Sequence, residues 1–350
     1  MRKSTKLTEK ILHDLYEYRV LTVTQIKNLY FKNKDSCYKQ LYRMKKKGLV
    51  ASRPIVRKRD GKKTAACYYI TSKGINFLLE KKIIPKGRRA DRNMVKGNEI
   101  NDVLDINELH VHLHNKGYQL VERRAWNVEY GLNYNSLTSG GLITKDGKRY
   151  SVYMIAGNAE QETIARIKNE IIEQPQSSRF MIFFKGPNSF KYYRTHIKDG
   201  ELGYIEYCLL PYNFIAFRLP FFPEQSYFVK LFTKFGKVEE NRTKTSNTSF
   251  ADYLLRIENG QEYYVCNFLL LDYAALARVS SYPMQQYKND GRKIAIFCWK
   301  ELRHLLTSIE SYEFVEIFEV TEEHIQDHED YEEVMNRLLN AEFRNPMAED

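Results

Sequence analysis

Over residues 7–20, Leu7, Ile11, Leu15 and Tyr18 fall at i, i+4, i+8 and i+11, which is one face of an amphipathic helix. Thr22 and Gln25 form a T-x-x-Q capping box, so a second helix begins there with Ile26, Leu29 and Tyr30 on its apolar side. Asp35 or Ser36 caps a third helix that Gly48 closes. In that helix Cys37, Leu41 and Met44 face inward. Lys39, Arg43 and Lys46 repeat the spacing on another face, with Tyr38, Tyr42 and Lys45 at its edge. The pattern then turns extended on both sides of Asp60-Gly61, a pair that favours a tight hairpin turn. Thr71 or Ser72 opens a fourth helix through Ile75, Phe77 and Leu78.

Residues 83–98 hold Pro85, Gly87, three Arg and two Lys without periodicity and read as a basic linker. Beyond it the pattern predicts a helix near 99–115, strands at 118–130 and 141–145, a turn through Asp146-Gly147 into 148–156, a helix at 159–174 and a strand at 179–185. The order returns later. A strand at 252–258 turns through Asn259-Gly260 into 261–271, a helix covers 272–287, and a strand follows at 292–299. The expected organisation is a first domain at 1–82, the linker at 83–98, an α/β unit at 99–235, a polar linker at 236–249, a second α/β unit at 250–320 and an acidic tail at 321–350. A short helix through Val334, Met335, Leu338 and Leu339 is expected in the tail.

Charge gives the first hundred residues a purpose. Of the 350 residues, 1–100 hold 27 Lys/Arg against 8 Asp/Glu, a net +19, whereas 101–350 carry a net −8, as do 321–350 alone. One segment is built to sit beside a polyanion. Three helices, a basic hairpin and a closing helix, in that order, predict a winged helix-turn-helix, whose third helix enters the major groove while its wing follows the phosphates. The DNA-binding residues expected are Tyr38, Lys39, Tyr42, Arg43 and Lys46 on the helix, with Arg53, Arg57, Lys58, Arg59, Lys62 and Lys63 on the hairpin. The partner expected is double-stranded DNA. Homodimerisation and docking of a replication or transfer protein are further expectations.

The pattern running from Leu7–Leu12 through Leu21-Thr22, Gln25-Ile26, Leu41 and Gly48-Leu49 to Tyr69-Ile70-Thr71 and Gly74 resembles the replication-relaxation family of bacterial plasmids and integrative elements, which includes relatives of MobC-type relaxases. The resemblance implies a winged helix followed by a restriction-endonuclease-like α/β domain. That domain's usual core is a Pro-Asp, an Asp-Gly turn, then Glu-x-Asp or Glu-x-Lys before a glycine and a helix. Asp146-Gly147 matches the turn and Gly157 the later glycine. Gly140 stands for the Asp, Tyr153 for the Glu and Ile155 for the Asp or Lys. None of the three can coordinate the Mg²⁺ such a site needs, so a degenerate, inactive body is expected. The later unit keeps Ala251-Asp252 but has Cys266 and Phe268 at the following positions. A register using Glu129 with Asp146, or a tyrosine nucleophile, would instead make the chain an active relaxase or nickase. A transcriptional regulator with a sensing or dimerising body is the third reading.

Other motifs carry less. His110, His112 and His114 would share a face on a strand, but their flanks favour a helix end, where only His110 and His114 align. His324–His328 spells H-x-x-D-H in the acidic tail, without an evident third ligand. The stretch Phe190–His196 interleaves aromatic and basic residues, and a strand with one buried aromatic face is the preferred reading over a single-strand-binding surface. No Walker or dinucleotide-binding glycine motif occurs, so no cofactor and no metal is expected. Five widely spaced cysteines and the lack of a long apolar run point to a cytoplasmic protein with reduced thiols and no membrane span.

Overall fold

The computed structural model describes residues 2–56, 63–85, 94–114, 116–133, 135–174, 178–195, 205–212, 214, 218–328 and 331–332. The fold is mixed α and β, and the chain divides into two compact units, Met1–His114 and Asn115–Asp350.

In the first unit the elements run α1 (Arg2–Glu17), β1 (Leu21–Thr22), α2 (Val23–Tyr30), α3 (Lys34–Lys46), β2 (Val50–Val56), β3 (Lys63–Ile70), α4 (Ser72–Glu80) and α5 (Ile100–Leu113). The expected capping box opens α2. Thr22 Oγ1 accepts from Gln25 N at 3.1 Å, and Gln25 Oε1 accepts from Thr22 N at 2.9 Å. The three strands form one antiparallel sheet in the order β1-β3-β2, with Val50 opposite Ile70 and Val56 opposite Lys63. The hairpin tip at Asp60-Gly61 lies outside the described residues. Ile11, Leu15, Ile26, Cys37, Leu41 and Met44 meet in one core with Ile70, Ile75 and Leu78. Helix α4 comes so close to the link between α3 and β2 that a Cβ at Gly74 would collide with the Leu49 carbonyl.

Two boundaries of the first unit differ from expectation. The helix near 99–115 belongs here and not to the body. Asn107 Nδ2 donates to the carbonyls of Tyr18 (3.0 Å) and Val20 (2.5 Å), and Gln25 Nε2 donates to Leu104 O and Glu108 Oε2, both at 2.8 Å. Buried amides that satisfy backbone groups at both ends fix this docking. The stretch 83–98 is likewise anchored at both ends, because Ile84 and Val95 are core residues.

The second unit holds two five-stranded sheets of the same topology. In the first, β4 (Gln119–Glu122), β5 (Gly140–Ile143) and β6 (Arg149–Ile155) form an antiparallel meander, and β7 (Arg179–Phe184) and β8 (Glu206–Pro211) add in parallel, in sequential order. In the second, β9 (Lys237–Glu240), β10 (Tyr253–Arg256) and β11 (Glu262–Asn267) make the meander, and β12 (Lys293–Trp299) and β13 (Val315–Val320) follow in parallel. Asp146-Gly147 and Asn259-Gly260 turn at matching points. The α-helices of this unit among the described residues are α6 (Arg123–Glu129), α7 (Gln161–Ile172), α8 (Pro187–Thr195), α9 (Gln225–Phe232), α10 (Tyr273–Ser280) and α11 (Met284–Asp290).

Several expectations are corrected here. The segment 236–249 is no simple linker, since it contains β9, which pairs with β10. The strand expected at 118–130 stops at Glu122, whose carboxylate caps α6 by accepting from Arg124 N at 3.0 Å. Phe190–His196 is not a strand over its described part, because α8 runs to Thr195 and buries Phe190 and Tyr193 one helical turn apart. Pro283 splits the helix expected at 272–287, since its ring removes an amide from the ladder. The start of the acidic tail is tied down: Ile325 is buried, His324 stacks on Phe235, and Lys234 Nζ pairs with Asp327 at 2.6 Å. The helix expected through Leu339 lies outside the described residues. No helix among the described residues is long and apolar enough to cross a membrane.

Candidate nucleic-acid interface

Helix α3 is presented, not merely exposed. Asn33, rather than Asp35 or Ser36, is its N-cap, with Oδ1 accepting from Ser36 N at 2.9 Å. Gln40 Nε2 donates to Thr8 Oγ1 at 2.8 Å and fastens the inner face, already held by Cys37, Leu41 and Met44, to α1. Gly48, at φ +70°, ends the helix in the left-handed turn expected of it. Thr71 Oγ1 then donates to the Gly48 carbonyl at 2.6 Å and accepts from Gly74 N, so one hydroxyl joins the end of α3 to the start of α4.

The outer face carries Lys34, Tyr38, Lys39, Tyr42, Arg43 and Lys46, all exposed. Tyr42 is 69% exposed and Tyr38 46%, unusual for aromatic rings in a well-packed helix. Part of the positive charge has a local use, because cations in the last turn oppose the helix dipole. Lys45 is committed elsewhere, with Nζ donating to Ser52 Oγ at 3.0 Å. That account does not cover Lys34 and Lys39, which sit in the first half of the helix.

The hairpin residues divide differently. Arg53 has a partner within the unit, since its Nη2 donates to the Val95 carbonyl. Arg57, Lys58, Arg59 and Lys62 lie outside the described residues, and Lys63 begins β3. The structure therefore brings the five α3 residues together on one face of that helix.

Behind the interface, Asp14 ties three helices. Tyr30 donates to Oδ2 at 2.5 Å and His110 Nε2 lies 3.4 Å from the same oxygen, with its ring stacked on Tyr18. Burial pushes the Asp14 carboxyl up, but hydrogen bonds from His110, His13 and Tyr30 outweigh it and hold the group well below the usual carboxylate range. His112 faces another way, 3.2 Å from Glu108 Oε1. His110, His112 and His114 thus do not converge. Among the described residues no group of three or more His, Cys, Asp or Glu could hold a metal ion.

The nuclease-like positions of the second unit are packed into its core. Gly140 has φ +140°, and a Cβ there would meet the Val121 carbonyl at 2.5 Å, so no larger residue fits. The Trp126 ring lies over Gly141, with Nε1 donating to Ser151 Oγ at 3.0 Å. Tyr153 is fully buried. Its hydroxyl donates to Glu170 Oε1 at 2.9 Å and accepts from Gln174 Nε2 at 2.6 Å, while Glu170 also accepts from Ser136 Oγ and Leu137 N. Ile155 is core. Glu129 pairs with Arg149, and Asp146 accepts from Thr144 Oγ1 and Gln225 N, so each carboxylate has its own local employment. Cys266 and Phe268 are fully buried, and Asp252 pairs with Lys244. Sequence reasoning missed Trp126 and Glu170, whose roles rest on contacts across the sheet.

The replication-relaxation family model matches residues 12–143, which supports the family resemblance read from the N-terminal pattern. No curated protein and no solved structure matches the chain.

Proposed function

We propose that this chain is a sequence-specific double-stranded DNA-binding protein of a bacterial mobile element, acting in the initiation of replication or transfer or in its regulation. Its first unit works as a winged helix-turn-helix. α2 and α3 form the helix pair, α3 enters the major groove, and the β2–β3 hairpin is the wing. The observation that carries this reading is the outer face of α3, where two exposed tyrosines stand among four exposed cations on a helix locked at both ends. Lys39, Arg43 and Lys46 supply phosphate or guanine contacts, and Tyr38 and Tyr42 hydrogen-bond phosphates or cover base edges. The net +19 of residues 1–100 supplies the nonspecific attraction.

The second unit serves as a nuclease-like body without intact nuclease chemistry. Two features support that reading: the strand order repeated in both sheets, and the absence of room for a carboxylate at position 140. Dimerisation or docking of a replication or transfer protein falls to this unit.

The test is recovery and sequencing of host DNA fragments bound by the purified chain at physiological salt, beside the Lys39→Ala/Arg43→Ala/Lys46→Ala variant. Enrichment of a few sites is expected for the wild type. The variant should bind a recovered site more weakly, with the salt slope reduced by about one for each phosphate that no longer meets a cation. A variant that binds like the wild type overturns the assignment of α3. Supercoiled DNA should stay unnicked with Mg²⁺ or Mn²⁺, and nicking that a Glu129→Gln or Asp146→Asn variant abolishes would restore the enzyme reading.

A further inference from the structure

The outer face of α3 also holds an acid. Asn33 takes the capping role, which leaves the Asp35 carboxylate exposed one position inside the helix start. Asp35, Lys39, Tyr42 and Lys46 fall at i, i+4, i+7 and i+11, and all four are exposed. The first three each stand two positions before a buried residue of the inner face: Cys37, Leu41 and Met44. Two positions turn an α-helix by about 200°, so this stripe points away from the core, with Tyr38 and Arg43 flanking it. Among the described residues, none of the four stripe side chains has a hydrogen bond or an ion pair.

Two local explanations for Asp35 fall short. An acid in the first turn complements the helix dipole, but Lys34 stands in the same turn with the charge the dipole disfavours. An i, i+4 pair with Lys39 would neutralise both groups, yet the two are not paired. For nonspecific attraction a carboxylate here is a cost, because it meets the phosphates of any duplex.

In the major groove the same carboxylate has a use. The N-terminal part of a groove helix is the part whose side chains reach base edges. An ionised carboxylate accepts hydrogen bonds and donates none. Cytosine presents a lone donor there, its N4 amino group. Adenine sets its amino group beside the N7 acceptor, while guanine N7 and O6 and thymine O4 are acceptors that repel a carboxylate.

We propose that Asp35 is a specificity-determining residue that accepts a hydrogen bond from the N4 amino group of a cytosine in the major groove. The proposal rests on α3 being the groove helix. Lys39, a donor one turn further on and about 6 Å along the axis, suits the guanine acceptors of neighbouring pairs.

Selection of duplexes from a random-sequence library tests this, with the full chain and its Asp35→Asn and Asp35→Ala variants. The selected duplex and a mixed-sequence duplex are then titrated at physiological salt. The wild type should select a C·G pair whose replacement by T·A weakens binding at least about tenfold. In both variants that penalty should fall to about twofold or less. Asparagine loses the discrimination because its amide donates to thymine O4 while its oxygen accepts from cytosine. The variants should bind the mixed-sequence duplex as tightly as the wild type or more tightly, since a charge facing the phosphates is gone. An unchanged consensus and penalty in both variants, or equal weakening of both duplexes, overturns the proposal. In that case duplex binding that still falls in the Lys39→Ala/Arg43→Ala/Lys46→Ala chain leaves the assignment of α3 standing. A wild-type chain that binds no duplex, or a triple variant that binds like it, refutes the α3 reading and this proposal with it.

Discussion

Asp272 gives the sharpest test of the electrostatics at the junction of the two sheets. Its carboxylate caps α10 through Ala274 N and also takes the Tyr207 amide at the first sheet's edge, so one oxygen serves both halves. Burial dominates its ionisation and pushes it up, the Glu206 charge adds to that, and the amides and Arg278 offset only part. The result is a pKa raised from 3.8 to about 6. The folded chain therefore holds this proton more tightly than the unfolded chain. The associated stability is complete below about pH 4 and is lost as the pH rises through about 6. A shift of roughly two units corresponds to about 3 kcal/mol. Asp272→Asn keeps an acceptor oxygen for both amides and removes the charge. At about pH 7.5 it should be more stable than the wild type by up to about 3 kcal/mol, with the gap closing near pH 4. Asp272→Ala loses the cap and strands a buried amide, which costs about 1–3 kcal/mol. Thermal melts at the two pH values, with calorimetric resolution of the unit that shifts, make the comparison. Should Asp272→Asn be destabilised at neutral pH as much as Asp272→Ala, the ionised carboxylate is worth its burial and the reasoning fails.

The remaining predictions concern the first unit. Gly74→Ala places a methyl against the Leu49 carbonyl, where backbone must move, and should lower the unit's stability by about 1–3 kcal/mol in a urea titration. Asn107→Ala leaves the Tyr18 and Val20 carbonyls without its amide and should cost about 1–3 kcal/mol. Hydrogen exchange should then show faster opening in Ile100–Leu113 than in α3; equal protection in variant and wild type would mean that apolar contacts alone hold the helix.

What the sequence discloses tracks how local each cause is. The Thr22–Gln25 box and the inner faces of α1 and α3 depend on residues three or four positions apart, and all stand as read. The cap of α3 misleads only because Asn33, Asp35 and Ser36 compete within four positions. The allegiance of Ile100–Leu113 is set by Gln25 and Asn107, each bonded to a residue more than eighty positions away, and a polar residue buried at one end of such a link carries no local sign of the other. Lys237–Glu240 escapes a pattern search for a different reason. It is an edge strand, mostly exposed, so alternation is lost and Lys-Val-Glu-Glu reads as a linker. On the candidate interface, the residues of α3 are legible because a basic face is a helical repeat. Arg53 is not, since only the approach of Val95 reveals its partner.

The two sheets of the second unit share one topology and fill the positions aligned by the family resemblance in two ways. In the first, Gly140 is closed by the Val121 carbonyl and Gly141 by the Trp126 ring, and Tyr153 is a hydrogen-bonded core residue joined to Glu170. A carboxylate at 140 would therefore require the backbone of β4 at Val121 to move. In the second, Asp252 survives, but Cys266 and Phe268 beyond it are core and Lys244 already neutralises it. A carboxylate held by an ammonium is a poor ligand for a divalent ion.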